Sequence, residues 1–101
     1  KNGKEVSGTK YNYYENGQLK SRTNFKDGKR DGLFEEYSEN GQPKSVVFYK
    51  VGKMEGWKRT YYIDGKLRSS LCYKNGQQSN YESRYCDYLE KTNPTIVQKI
   101  E

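Results

Sequence analysis

Apolar and polar residues alternate along most of this chain in short runs, each bounded by turn residues. The clearest unit reads Leu33-Phe-Glu-Glu-Tyr37, then Ser-Glu-Asn-Gly-Gln, then Pro43-Lys-Ser-Val-Val-Phe-Tyr49. Two runs rich in aromatic and β-branched residues flank Asn40-Gly41, a pair in which both residues tolerate positive φ, and this predicts a β-hairpin. Asn16-Gly17 and Asp64-Gly65 predict the same turn elsewhere. A second, longer turn follows each hairpin, over residues 26–32, 50–56 and 74–80, and each carries helix-breaking glycines. No helix fits between these turns. The expected fold is therefore all-β, an antiparallel meander of about seven or eight strands.

The pattern is periodic. Gly8, Gly32 and Gly56 are 24 residues apart, as are Gly17, Gly41 and Gly65, and Gly28, Gly52 and Gly76. Tyr13, Tyr37, Tyr61 and Tyr85 keep the same period, as do Phe25, Tyr49 and Tyr73. Lys20, Lys44 and Arg68 follow it, and so do Lys26, Lys50 and Lys74. This divides the chain into a β-repeat domain over residues 1–90 (a partial repeat, three full ones and a fading one) and a C-terminal cap or tail over 91–101. The fading repeat is expected to continue as strand through Tyr81 and Tyr85, and its loss of the glycine turns suggests a cap, since terminal repeats need a different outer surface. Asn93-Pro94 then offers a cap and first turn for a short helix bearing Ile96, Val97 and Ile100.

Strand alternation sorts the side chains. Odd positions of the second strands include Val47 and Tyr49, and those of the first strands include Leu33, Tyr37, Trp57 and Tyr61. The economical arrangement places both odd sets on one face as an aromatic and aliphatic stripe. A two-residue turn at Asn40-Gly41 would put Tyr37 beside Lys44, so a slightly longer turn or a bulge is expected there.

Composition narrows the chemistry. The chain has no histidine, which excludes a Ser-His-Asp triad, a Cys-His pair and a His-ligated metal. No stretch approaches ~18 apolar residues, so no segment reads as a membrane-spanning helix. Cys72 and Cys86 allow at most one disulfide, and a metal site needs about four ligands. With Tyr73 opposite Tyr81, Cys86 lies about 13 Å from Cys72 at strand rise. A disulfide tolerates about 7 Å between Cα atoms, so the two are expected to be unbonded. Carboxylates such as Asp31, Glu35 and Glu36 are expected to face water, and no cofactor is implied. The net charge is +6, which suits acidic partners as well as simple solubility. The basic residues form no block of five or more, and nucleic acid is not the expected partner.

Tyr-Glu-Asn-Gly-Gln-Leu-Lys, Phe-Lys-Asp-Gly-Lys-Arg-Asp-Gly-Leu and Tyr-Lys-Val-Gly-Lys-Met-Glu-Gly-Trp resemble the MORN repeat in its bacterial, antitoxin-like variant form. The likeness covers about residues 2–85. It implies a single-layer twisted sheet of hairpins serving as a non-enzymatic scaffold or protein-binding module. Eukaryotic MORN proteins are linked to acidic phospholipids. Some phosphatidylinositol-phosphate kinases carry these repeats, so a kinase name attached to such a chain would come from them. The spacing here is 24 residues, and Ser21-Arg-Thr-Asn-Phe25 stands where the common repeat has Tyr-x-Gly-x-Trp.

Two surfaces are candidates for binding. Tyr13, Tyr37, Trp57, Tyr61 and Tyr85 form either inter-repeat packing or an exposed aromatic groove for a protein. Lys20, Lys44 and Arg68, with Lys26, Lys50 and Lys74, form either a solvated face or a ladder for anionic phospholipid or another polyanion. An open sheet edge is a third candidate, for self-association.

Overall fold

A computed structural model describes residues 7–78 and 83–92. Among these residues seven strands lie side by side in chain order: β1 (Gly8–Tyr13), β2 (Leu19–Lys26), β3 (Lys29–Tyr37), β4 (Pro43–Lys50), β5 (Lys53–Tyr61), β6 (Leu67–Lys74) and β7 (Gln77–Gln78). Every neighbouring pair is antiparallel, giving one open meander. A helix, α1 (Ser83–Thr92), follows the last strand.

The two families of turn differ from each other physically. At Asn40-Gly41, the Gly41 amide donates to Ser38 O at 2.9 Å and the Ser38 amide to Gln42 O at 2.9 Å. The Asn40 side chain accepts from the Gln42 amide at 3.1 Å. This is a three-residue loop with a left-handed glycine and an adjoining bulge. Glu36 faces Ser45 and Tyr37 faces Pro43, which leaves Lys44 as the extra residue. Lys20 and Arg68 are the extra residues of the equivalent bulges. The longer turn expected at this position is therefore present.

The second turn is shorter than the sequence suggested. Asp27 and Gly28 both have positive φ, 53° and 81°, between paired Lys26 and Lys29. Val51-Gly52 and Asn75-Gly76 repeat this geometry. These are tight two-residue turns, whose twist matches that of the flanking strands. Gly32 and Gly56 are not in the turns at all. They lie within β3 and β5 at a register shift, with φ of 109° and 90°.

These shifts also correct the expected faces. Tyr11, Arg22, Glu35, Val46, Arg59 and Ser70 form one row across the sheet, and Thr9, Asn24, Leu33, Phe48, Trp57 and Cys72 lie in the next row of that face. Thr23, Phe34, Val47, Lys58 and Leu71 form a row on the other face. Leu33 and Trp57 are thus on the side opposite Val47, because the bulge at Lys44 moves the second strand by one residue. Val46 and Val47 are 0% and 3% exposed on opposite faces of the same strand. Among the described residues no second sheet covers them. Val46 is paired with Glu35 and Arg59 on the neighbouring strands, and Val47 with Phe34 and Lys58.

The chain is helical where the fading repeat was expected to be strand. A helix advances about 1.5 Å per residue where a strand advances about 3.3 Å. The chain thereby folds back over the sheet instead of extending it. Cys86 is bonded to Cys72, with Cα atoms 6.0 Å apart, which overturns the expectation of two unbonded cysteines. Tyr81 and the helix expected from Asn93 lie outside the described residues, as do residues 2–6 of the partial first repeat.

Candidate functional site

Among the described residues, the face bearing α1 is covered at one end and open at the other. Over β5 and β6, Trp57 Nε1 donates to Asp87 Oδ1 at 3.3 Å and Arg59 Nη1 to Glu90 Oε2 at 2.7 Å. The Arg59 guanidinium lies 5.3 Å from the Trp57 ring centre. Leu89 rests over Gly56, where a Cβ would come within 3.9 Å of its Cδ1. Cys86 completes the seat through its bond to Cys72.

Further along the same face is an open groove of ≈ 580 Å³, lined among others by Thr9, Arg22, Asn24, Gly32, Leu33 and Phe48. Its polar floor is internally bonded: Thr9 Oγ1 donates to Asn24 Oδ1 at 2.6 Å, and Asn24 Nδ2 to Leu33 O at 2.8 Å. Arg22 Nη2 lies 2.7 Å from Glu35 Oε1. Glu35 was expected in water but is only 8% exposed, because its strand position turns it onto this face beside Arg22. Burial raises the Tyr37 phenol above its ordinary 10.0, and the Glu35 carboxylate pushes the same way against the opposing Arg22 charge.

Of the aromatic candidates, Tyr13, Tyr37 and Tyr61 end β1, β3 and β5 along one rim, facing Leu19, Pro43 and Leu67. They recur about every 10 Å, two strand widths. The Tyr14 hydroxyl bridges two repeats by donating to Tyr37 O at 2.7 Å. Trp57 lies deeper on the same face, under α1. Tyr85 is on the helix, with Lys74 Nζ 5.1 Å from its ring centre, and so leaves the row.

The basic candidates separate into two groups. Lys20, Lys44 and Arg68 sit at the bulges beside the three-residue turns. Lys26, Lys50 and Lys74 end the same strands at the opposite rim, about 20 Å away at strand rise. That rim also gains Lys29 and Lys53, directly opposite Lys26 and Lys50. Both were visible in the 24-residue spacing but were not singled out. Carboxylates tie the rim together: Asp31 Oδ2 accepts the Val51 amide at 3.0 Å and Glu55 Oε1 the Asn75 amide at 2.7 Å. Ser7 Oγ does the same for Asp27 at 3.0 Å. Arg22 and Phe48 also escaped the sequence reading, since Arg22 breaks the repeat pattern and Phe48 occupies an even position. Among the described residues no cluster of three or more His, Cys, Asp or Glu could hold a metal ion.

The sequence profile of the family described as MORN repeat variant matches residues 7–27, 30–50 and 54–75. No curated protein and no solved structure matches the chain.

Proposed function

The chain belongs to the MORN repeat variant family, and on that premise we propose that it is a non-catalytic binding module that holds a protein on the open part of the face carrying α1. The open groove beside α1 carries this reading. Apolar Leu33 and Phe48 stand there next to a half-exposed arginine, and aromatic residues and arginine are the types enriched where proteins meet. Tyr11 and Tyr13, 49% and 61% exposed, extend the surface toward the β1 edge. That edge strand is exposed along its length and offers a route to self-association. Under the bacterial, antitoxin-like form of the resemblance, the protein held would be a toxin.

Affinity capture from the source organism tests this, using the wild type, Leu33→Glu in the groove and Ile63→Ser on a remote turn. A protein retained by the wild type and Ile63→Ser but lost from Leu33→Glu supports the reading. A partner that ignores Leu33→Glu overturns it.

A second reading rests on the opposed pairs Lys26–Lys29 and Lys50–Lys53. Like charges directly across a strand pair are destabilising, and a bridging phosphate would remove that repulsion. This favours anionic phospholipid or another polyanion along the tight-turn rim. Sedimentation with phosphatidylserine vesicles should then weaken steeply with added salt and fail for Lys26→Glu/Lys50→Glu. Salt-insensitive or absent binding would exclude it.

A further inference from the structure

We propose that the open groove receives an amphipathic α-helix of the partner, laid beside α1 one repeat away and presenting a carboxylate to Arg22. The proposal rests on the protein-binding reading above and names the kind of segment bound.

The repeat itself supplies the argument. α1 is seated on Gly56, Trp57 and Cys72, through Leu89, Asp87 and Cys86 respectively. Subtracting the 24-residue period gives Gly32, Leu33 and Phe48, all of which line the open groove. The two seats share their backbone geometry, each with a positive-φ glycine at a register shift between neighbouring strands. At Gly56 the missing side chain leaves room for Leu89 of α1, 3.9 Å from where a Cβ would stand, whereas at Gly32 it leaves room for Asn24, whose Cβ would lie 3.1 Å away and which forms part of the groove floor. One repeat is two strands, about 10 Å, and packed helices lie about 8–10 Å apart. A helix seated on Gly32, Leu33 and Phe48, the side of the groove nearer to α1, would therefore lie about one helix diameter from α1.

The side chains select its composition. Leu33 and Phe48 replace Trp57 and Cys72, so the floor calls for an apolar stripe at i, i+3 and i+4. Arg22 is 38% exposed, spends Nη2 on Glu35, and keeps Nε buried without a hydrogen-bond partner among the described residues, so an incoming carboxylate meets only the exposed part of the guanidinium. At its own seat α1 answers Arg59 with Glu90. An Asp or Glu of the partner answers Arg22 in the same way. A second copy of α1 is a poor occupant, because at the equivalent seat its Glu90 falls on Glu35 in place of Arg59, one strand away from Arg22.

A displayed peptide library tests the proposal, with one randomised segment offered both as a helix and as an extended strand, panned on the full disulfide-bonded chain. Helical binders carrying an acidic residue are expected. They should lose about tenfold or more in affinity against Arg22→Gln and against Leu33→Glu, and nothing against Ile63→Ser. Thermal melts confirm that each variant is folded, and Thr9→Arg, at an exposed position in the groove, serves if Arg22→Gln is not. Extended binders blocked by Leu33→Glu would overturn the helix while leaving protein binding at the groove intact. Binders insensitive to every groove variant would overturn both. Two further results would refute a partner helix: dimerisation of the chain abolished by Leu33→Glu, or helix binding seen only after removal of residues 93–101.

Discussion

Cys72 on β6 and Cys86 on α1 are joined across the sheet face, and the bond pins the helix over Trp57 and Arg59. The cysteines are 14 residues apart. A crosslink closing a loop of this length contributes about 3 kcal/mol. Non-reducing mass spectrometry should find the chain lighter by one pair of hydrogens. Reduction, or Cys86→Ser, should lower the unfolding free energy by roughly that amount and shift Trp57 fluorescence to the red. An unchanged midpoint and spectrum would mean that α1 is held without the bond.

Val51 is the β-branched member of the three tight turns, with φ of 49° where the others have Asp27 and Asn75. Left-handed backbone is strained for such a side chain. Val51 is also 58% exposed, so it gains little from burial. Val51→Asn should therefore stabilise the chain by about 1 kcal/mol, or roughly 4–8 °C in Tm. A lower Tm would show that Val51 makes contacts that outweigh the strain.

Gly41 has φ of 89°, and a Cβ there would approach Gln18 Oε1 to 3.2 Å. Gly41→Val should cost about 1–3 kcal/mol. Glu39→Gln, exposed in the same loop, should cost almost nothing. Thermal melts of the two variants decide this, and equal midpoints would contradict the three-residue loop.

Tyr37 links stability to alkaline pH. Burial and Glu35 raise its folded pKa above 10.0, so the folded state holds its proton more tightly than the unfolded chain. That contribution is complete below pH 10 and is lost as pH rises through and past the raised value. Denaturant unfolding should show a decline in stability above pH 10 that shrinks in Tyr37→Phe. An identical pH dependence in both proteins would remove Tyr37 as its source.

Much of the architecture was legible because local chemistry repeats every 24 residues. Asn-Gly and Asp-Gly pairs limit the backbone wherever they occur, and the strands between them have no room to be helices. The candidate site was less legible. The aromatic row was visible as far as Tyr61, since a strand position two residues on returns to the same face. Arg22 and Glu35 were not, because no residue at 46 or 59 repeats that pairing of charges.

The amino-acid sequence alone determined the repeat, the antiparallel meander and the places where the chain turns, since each depends on φ preferences and alternation within a few residues. Only the tertiary structure decided which face each residue joins. That choice depends on single-residue bulges at Lys20, Lys44 and Arg68, and one unpaired residue reverses all that follows it. It also decided the fate of the final repeat. The segment carrying Tyr85 and Cys86 has the spacing of a strand. As a helix it instead buries Cys86 against Cys72 and pairs Glu90 with Arg59, contacts between residues 14 and 31 positions apart that no local pattern contains.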